Sequence, residues 1–183
     1  MIQYSFVDTN VAFEIPEKMD YCEHNTCFGK CFFAWNKNKV YAVIFAENEL
    51  MAKLEFITMY STTTFTLNNE KAQMLLEKTK TGDYIFQITA NAFSIKTLKA
   101  LLITKNGQTT TYKQIAEATG SNKAYRAVGT AVGNNRIAWF LPCHRVIRSD
   151  RKIGDYRWGK DLKEKMLQWE KDNPEGDYFG VFI

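Results

Sequence analysis

The stretch TTTYKQIAEATGSNKAYRAVGTAVGNN, residues 109–135, reads as two short helices divided by a tight turn. A threonine-capped helix is expected from about Tyr112 to Thr119, where Gly120 stops it. Ser121 and Asn122 carry the capping signal of a second helix that runs to Gly133. Two such helices around a glycine turn, the second opening with polar and basic residues, have the sequence form of a helix-turn-helix, a geometry that also occurs as plain packing. The second helix is rich in small residues, Ala124, Ala127, Gly129, Ala131 and Gly133. Each glycine weakens a helix by about 1 kcal/mol relative to alanine. Close approach of another backbone would compensate, and so would entry into a narrow groove such as the minor groove of DNA, with Arg126 long enough to reach a base stack.

Helical patterning continues on both sides. SIKTLKALLIT, from Ser94, places Ile95, Leu98, Leu101 and Leu102 on one face, with Ser94 as the expected cap and Asn106-Gly107 as the stop. DLKEKMLQWEKDN, from Asp161, is amphipathic, is expected to bury Leu162, Met166, Leu167 and Trp169, and is closed by Pro174. Before residue 90 the pattern is different. CFFAWNKNKVYAVIFAEN, residues 31–48, holds two β-branched and aromatic runs around a polar turn near Asn36 to Lys39, which predicts a β-hairpin. NNEKAQMLLEKTKTGDY predicts an amphipathic helix stopped by Gly82, and YIFQITA one more strand. The chain is therefore expected to be α+β, with a sheet-containing domain over residues 1–90 and a mostly helical one over residues 91–183.

The net charge of +4 over 183 residues divides unevenly along the chain. Residues 1–90 hold 8 Lys and Arg against 11 Asp and Glu, and the remainder holds 16 against 9, so the first part carries −3 and the second +7. A basic excess of this size makes nucleic acid a candidate partner, and a solvated basic surface is an equal reading of the charge alone. Neither a secretory signal nor a run of about 18 apolar residues is readable, so no membrane partner is expected and the location expected is cytoplasmic, or nuclear in a eukaryote. The four cysteines, Cys22, Cys27, Cys31 and Cys143, fit a reducing compartment.

In FLPCHRVIRSD, residues 140–150, a cysteine and a histidine stand side by side. A thiolate is a strong nucleophile, formed when a neighbour takes or offsets the thiol proton. His144 is adjacent to Cys143, the cations Arg145 and Arg148 are close in sequence, and Pro142 fixes the backbone entering the site. On an extended segment neighbouring side chains diverge, so a bridging water is one route between Cys143 and His144. Glu170 on the last helix is a candidate to orient the imidazole.

LPCHRVIRSD, with IGDYRWG and LKEKMLQWE after it and TTTYKQIA and YRAVGTAVGNN before it, resembles the C-terminal domain of the O6-alkylguanine-DNA alkyltransferases, the methylated-DNA–protein-cysteine methyltransferase family. The resemblance runs without gaps from about Ala92 to Glu170, and is looser over the N-terminal FGKCFFAW. It implies a small ribonuclease-H-like α/β domain followed by a winged helix-turn-helix-like domain. It implies stoichiometric, irreversible DNA repair: transfer of an alkyl group from O6-alkylguanine, with O4-methylthymine as a second substrate, to Cys143. His144 would act as base through water, Glu170 would orient it, Asn135 would hold the turn before the cysteine, and Tyr112 would donate its proton toward the leaving guanine. Arg126, Tyr112, Ala127, Gly129 and Ser149 would bind DNA, with Arg126 filling the stack left by a flipped base. Ile153, Tyr156, Arg157 and Trp158 would wall the pocket. The implied partner is double-stranded DNA containing O6-alkylguanine, with the protein a monomer and without a cofactor. Arg136 stands where the family often has proline, Leu98 where tryptophan is common, and Trp158 where some members have glycine, which implies a narrower pocket. A helix-turn-helix module that binds lesions or regulates transcription without repair is the alternative.

CEHNTCFGKC sets Cys22, His24, Cys27 and Cys31 within ten residues, a C-x-H-x2-C-x3-C set of soft ligands of the kind zinc accepts. The spacing matches no standard knuckle, and no metal is expected. In the tail NPEGDYFGVFI the aromatic residues Tyr178, Phe179 and Phe182 are expected to pack back on the body.

Overall fold

A computed structural model describes residues 1–183. The elements run β1 (Gln3–Asp8), β2 (Lys18–Thr26), β3 (Gly29–Asn36), β4 (Lys39–Phe45), α1 (Glu49–Met59), β5 (Thr64–Leu67), α2 (Ala72–Thr81), β6 (Ile85–Ala90), α3 (Ala92–Leu101), β7 (Thr110–Thr111), α4 (Tyr112–Ala118), α5 (Tyr125–Gly133), β8 (Val146–Ile147) and α6 (Lys160–Asp172). The protein is of mixed α and β structure, and its contacts divide it into two compact units.

The first unit comprises Met1–Thr89 and Val181–Ile183. Its six-stranded sheet has the order β1-β6-β4-β3-β2-β5. β2, β3 and β4 form an antiparallel meander, β5 lies parallel to β2, and β6 lies parallel to β4. Cys31 to Trp35 and Val40 to Phe45 are buried without alternation, as expected of central strands covered on both faces. α1 packs Ala52, Phe56 and Met59 inward, and α2 packs Leu75. α2 ends where Gly82 adopts φ 89°, a left-handed cap that favours glycine. The last three residues belong to this unit rather than to the helical one: Thr26 bridges Phe182, and the Cys27 N–H donates to the Val181 carbonyl at 2.9 Å. The expected boundary of 91–183 is corrected to that extent.

The second unit, Ala90–Gly180, packs α3, α4 and α5 on one another around Leu98, Leu101, Ile115, Val128 and Ala131. α4 begins with a capping box in which the Thr111 side chain accepts from the Gln114 N–H and the Gln114 side chain accepts from the Thr111 N–H. β7 and β8 pair in parallel, Thr110 with Val146 and Thr111 with Ile147. That short ribbon fixes the start of α4 beside the residues that follow Arg145.

Three local expectations are corrected. α5 starts at Tyr125 without a side-chain cap, because Ser121 to Ala124 close a turn of their own through the Ala124 N–H to Ser121 carbonyl bond at 2.8 Å. On α6 the inward stripe is Lys163, Met166, Leu167 and Glu170, while Leu162 and Trp169 are half-buried. α3 is capped by Asn91, whose side chain accepts from the Ser94 N–H at 2.8 Å. Asn91→Ala should therefore lower the unfolding free energy by about 1 kcal/mol in urea titrations. Ser94→Ala should stay within about 0.5 kcal/mol of the parent.

Candidate active site

The cysteine turn owes its shape to the residues around it. Pro142, with φ −78°, leads into a 3₁₀ turn over Cys143–Arg145 rather than the extended segment expected, and all three residues of that turn are buried. Asn135 holds the loop that precedes it. Its Oδ1 accepts from the Ile137 N–H at 2.9 Å, and its Nδ2 lies 3.1 Å from the Ile137 carbonyl, 3.0 Å from the Leu141 carbonyl and 2.9 Å from Cys143 Sγ. One buried amide thus ties both ends of the loop and presents an N–H to the sulfur.

Burial pushes the Cys143 thiol above its ordinary range, opposed by hydrogen bonds from Asn135 and Tyr156 and by the positive charge of Lys163. Lys163 is almost wholly buried, and its Nζ donates to the Val146 carbonyl at 2.7 Å and to the Gly154 and Asp155 carbonyls at 3.4 Å. Burial lowers its pKa, with Cys143 and Asp155 opposing. Lys163 was not among the residues expected to be buried on α6. The sign that could have marked it is spacing, since it stands seven residues before Glu170 and so shares its helical face.

Behind the thiol, His144 Nε2 lies 2.8 Å from Glu170 Oε1, with both side chains fully buried. Arg145 also turns to Glu170, with Nε 3.0 Å from each carboxylate oxygen and Nη2 2.7 Å from Oε1. Its guanidinium further donates to the Thr104 carbonyl, to Asn106 Oδ1, and to the Tyr178 hydroxyl at 2.9 Å. Arg145 therefore serves the carboxylate and not the thiol, which corrects the expectation that it offsets charge at Cys143. Asn106-Gly107 lies beyond the end of α3 and reaches the same cluster. Gly107, at φ 72°, donates its N–H to Glu170 Oε2 at 3.3 Å, and a Cβ there would come within 3.3 Å of the Glu170 carbonyl.

Burial would raise the Glu170 carboxyl, but the hydrogen bonds from His144 and Arg145 outweigh it and hold its pKa below the ordinary value. His144 is held low by burial, against the pull of Glu170 and with the charges of Arg145 and Lys163 adding to the effect. An ionised carboxylate can only accept, so a neutral His144 donates through Nε2–H and keeps its lone pair on Nδ1. Nδ1 is buried and has no hydrogen-bond partner in the protein.

Cys143 opens on a cavity of about 610 Å³. Ile153, Tyr156, Arg157 and Trp158, the expected wall, line it together with Tyr112, Gly129, Gly154 and Asp155. A neighbouring groove of about 630 Å³ runs past Tyr112, Arg126, Gly129 and Ser149, with Lys113, Tyr125 and Arg148. Ala127 is exposed on α5 and lines neither cavity, and Asn135, His144 and Glu170 stand behind the thiol instead of on the wall. The α5 glycines are not demanded by internal packing. Gly133 faces open space, and a Cβ on Gly129 would make an ordinary 3.9 Å contact with Tyr112.

The other cysteine cluster does not converge. Cys22 Sγ is 3.6 Å from His24 Nε2, Cys31 is buried and Cys27 is exposed. No group of three or more His, Cys, Asp or Glu side chains is placed to hold a metal ion. No helix is long and apolar enough to cross a membrane.

Residues 92–172 match the family model for the DNA-binding domain of 6-O-methylguanine DNA methyltransferase. A methylated-DNA–protein-cysteine methyltransferase of Methanosarcina mazei is 38% identical over 107 residues, which cover 58% of this chain and 68% of that protein. The chain belongs to the methylated-DNA–protein-cysteine methyltransferase family. A further member, from Methanosarcina barkeri, is 51% identical over 75 residues, 41% of this chain and 48% of its own length. The bifunctional transcriptional activator and DNA repair enzyme Ada of Escherichia coli is 41% identical over 88 residues, 48% of this chain and 25% of its length. Against these two relatives the chain spans a quarter to about half of their length. Among solved structures, Mycobacterium tuberculosis OGT in complex with DNA superposes with a TM-score of 0.67 at 27% identity, covering 84% of this chain and 93% of that one.

The two depressed pKa values in the cluster set a pH dependence. A group whose folded pKa is lowered binds protons more readily unfolded, so its contribution to stability is present above the unfolded pKa and is lost as pH falls. His24 in the first unit is likewise held down, at about 4, by burial. Stability should be level between about pH 7 and 8, decline from about pH 6.5 downward, and fall again above about pH 8.5 as the thiols of Cys22, Cys31 and Cys143, held protonated by burial, ionise on unfolding. In urea titrations His144→Gln should remove the part of that slope that His144 contributes, and a slope unchanged by the substitution would contradict the neutral assignment.

Proposed function

We propose that this protein repairs DNA by a single irreversible transfer of an alkyl group from O6-alkylguanine, with O4-methylthymine as a second substrate, to Cys143. The observation that carries this reading is the thiol at the cavity floor, with the Asn135 amide on its sulfur and the His144–Glu170 pair behind it. In the proposed step the Cys143 proton passes through water to His144 Nδ1, and the sulfur electron pair attacks the alkyl carbon. An S–C bond forms, the C–O6 bond breaks, and its electron pair leaves with guanine, toward which Tyr112 donates its phenolic proton. A leaving oxyanion is costly, and proton donation lowers that cost. Burial raises the Tyr112 pKa, with the charges of Asp155 and Cys143 adding to it, so the hydroxyl keeps its proton until it is needed. The thioether has no route back to the thiol, so each molecule acts once and needs no cofactor.

Double-stranded DNA is the proposed partner. We assign Arg126, Tyr112, Ala127, Gly129 and Ser149 to its contact, and the smooth outer face of α5 supports the narrow-groove reading, since its glycines are not required inside the protein. Ile153, Tyr156, Arg157 and Trp158 would wall the base pocket, and the Tyr156 and Trp158 rings meet edge to face at 5.3 Å. On this reading residues 1–90 form a ribonuclease-H-like domain and the helical unit a winged helix-turn-helix-like one, working as a monomer in the cytoplasm or nucleus.

Intact-mass measurement after mixing with a duplex that holds one O6-methylguanine should show one added methyl, mapped to Cys143. Binding without methyl gain would instead favour a non-repairing lesion-binding or regulatory module. Arg126→Ala should slow transfer from duplex by about tenfold, a part of the few kcal/mol of unstacking cost it would offset, with a smaller effect on free base. Equal losses on both substrates would remove it from base extrusion. Because Trp158 narrows the pocket, free benzylguanine should inactivate the protein slowly, and rapid inactivation would contradict that.

A further inference from the structure

Trp139 is fully buried, yet its φ is 65°, in the left-handed region that bulky residues rarely adopt. Such a conformation persists where the surroundings over-determine it, and it is a pointer to a site. The other non-glycine residues at positive φ, Lys37 and Arg151, lie in turns. The Trp139 indole lies along the imidazole of His144, with ring centroids 5.2 Å apart and planes 17° from parallel. Its Nε1–H donates to the backbone carbonyl of Tyr178 at 2.7 Å. Tyr178 lies beyond residue 172, where the family match ends.

The tail that carries Tyr178 is fastened as a frame. The Gly176 carbonyl accepts from Asn106 Nδ2 at 2.9 Å, and a Cβ on Gly176 would come within 2.8 Å of the Trp169 ring. Trp169 meets Trp139 edge-on at 5.4 Å. The Tyr178 hydroxyl takes an N–H from Arg145 at 2.9 Å, and Arg145 in turn holds Glu170.

We propose that Trp139 and Tyr178 are positioning residues for the transfer step. The tail carbonyl holds the indole against the face of His144, and the Tyr178 hydroxyl holds Arg145 on Glu170, so the histidine is fixed where it receives the Cys143 proton. This rests on the reading of Cys143 as acceptor and His144 as its base. When that proton moves, a thiolate remains on Cys143 and an imidazolium forms between the Glu170 carboxylate and the indole. An aromatic face attracts a cation, so the indole stabilises the charged form. The charged and titratable groups around His144 are Glu170 and Lys163 from α6, Cys143 and Arg145 from its own turn, and Tyr178 through Arg145. α3, which also packs on this turn, buries only Thr97, Leu98 and Leu101.

The test uses the full chain and follows alkylation of Cys143 by iodoacetamide across pH, read by peptide mass, beside methyl transfer from duplex DNA. Trp139→Leu should move the half-point of Cys143 labelling upward by about one pH unit, the size of a desolvated cation–π contact. Trp139→Phe keeps an aromatic face and should restore most of that shift. Tyr178→Phe should slow methyl transfer roughly three- to tenfold with the fold intact by circular dichroism. A half-point unmoved in Trp139→Leu, or moved equally in Trp139→Phe, would overturn the role of the indole. Were Trp139→Leu not to fold, wild-type behaviour of Tyr178→Phe in both assays would overturn the proposal by itself. A parent protein that labels normally but takes no methyl from DNA would sink the repair reading and leave the labelling shifts to decide this one.

Discussion

The carboxylate of Glu170 is the charge around which the helical unit is organised. It has no exposed surface, and an ionised carboxylate taken out of water is tolerated only when paired and hydrogen-bonded. Arg145 supplies the charge, His144 and the Gly107 N–H supply further donors, and together they occupy both oxygens. Removing one partner from such a set costs about 3–5 kcal/mol, because the remaining charge stays buried. Arg145 is itself held by Thr104, Asn106 and Tyr178, so residues far apart in the chain meet at one ion.

That arrangement links folding to chemistry. The depressed Glu170 pKa keeps the acceptor ionised, and the neutral imidazole donates to it and leaves the Nδ1 lone pair without a partner, as the proposed base role requires. Cys143 sits in the same 3₁₀ turn as His144 and Arg145, so the pairing that stabilises the unit also sets the backbone of the thiol. The thiol remains protonated at rest because burial outweighs the help from Asn135, Tyr156 and Lys163. In the proposed transfer its ionisation would depend on a base already in place.

Much of this was legible in the residues, and the parts that were not share a physical cause. The β3–β4 hairpin, the Gly82 stop and the Thr111 cap are local signals, written within a few residues, and all appear where expected. β2 was hidden because KMDYCEHNT mixes charged and polar residues among its buried ones. α1 was hidden because Leu50, Met51, Leu54 and Ile57 are exposed opposite the buried Ala52, Phe56 and Met59, which leaves no apolar face to read. At the site, Cys143, His144 and Glu170 were readable as candidates from their residue types, whereas the role of Asn135 came from a family resemblance that periodicity alone could not have supplied. Arg145 was assigned to the thiol and Lys163 was passed over because a cation in sequence reads as solvated, and only tertiary pairing shows that both are buried and what Arg145 serves.

The central claim is the protonation pattern of the buried cluster, with Glu170 ionised and His144 neutral on Nδ1. It is read most directly by ¹⁵N NMR of the imidazole nitrogens of His144 in the intact protein as pH is lowered from neutrality. The account predicts the neutral, Nε2-protonated tautomer at pH 7, persisting below the pH at which an exposed histidine is half-charged. An imidazolium at neutral pH, or a proton on Nδ1, would contradict it.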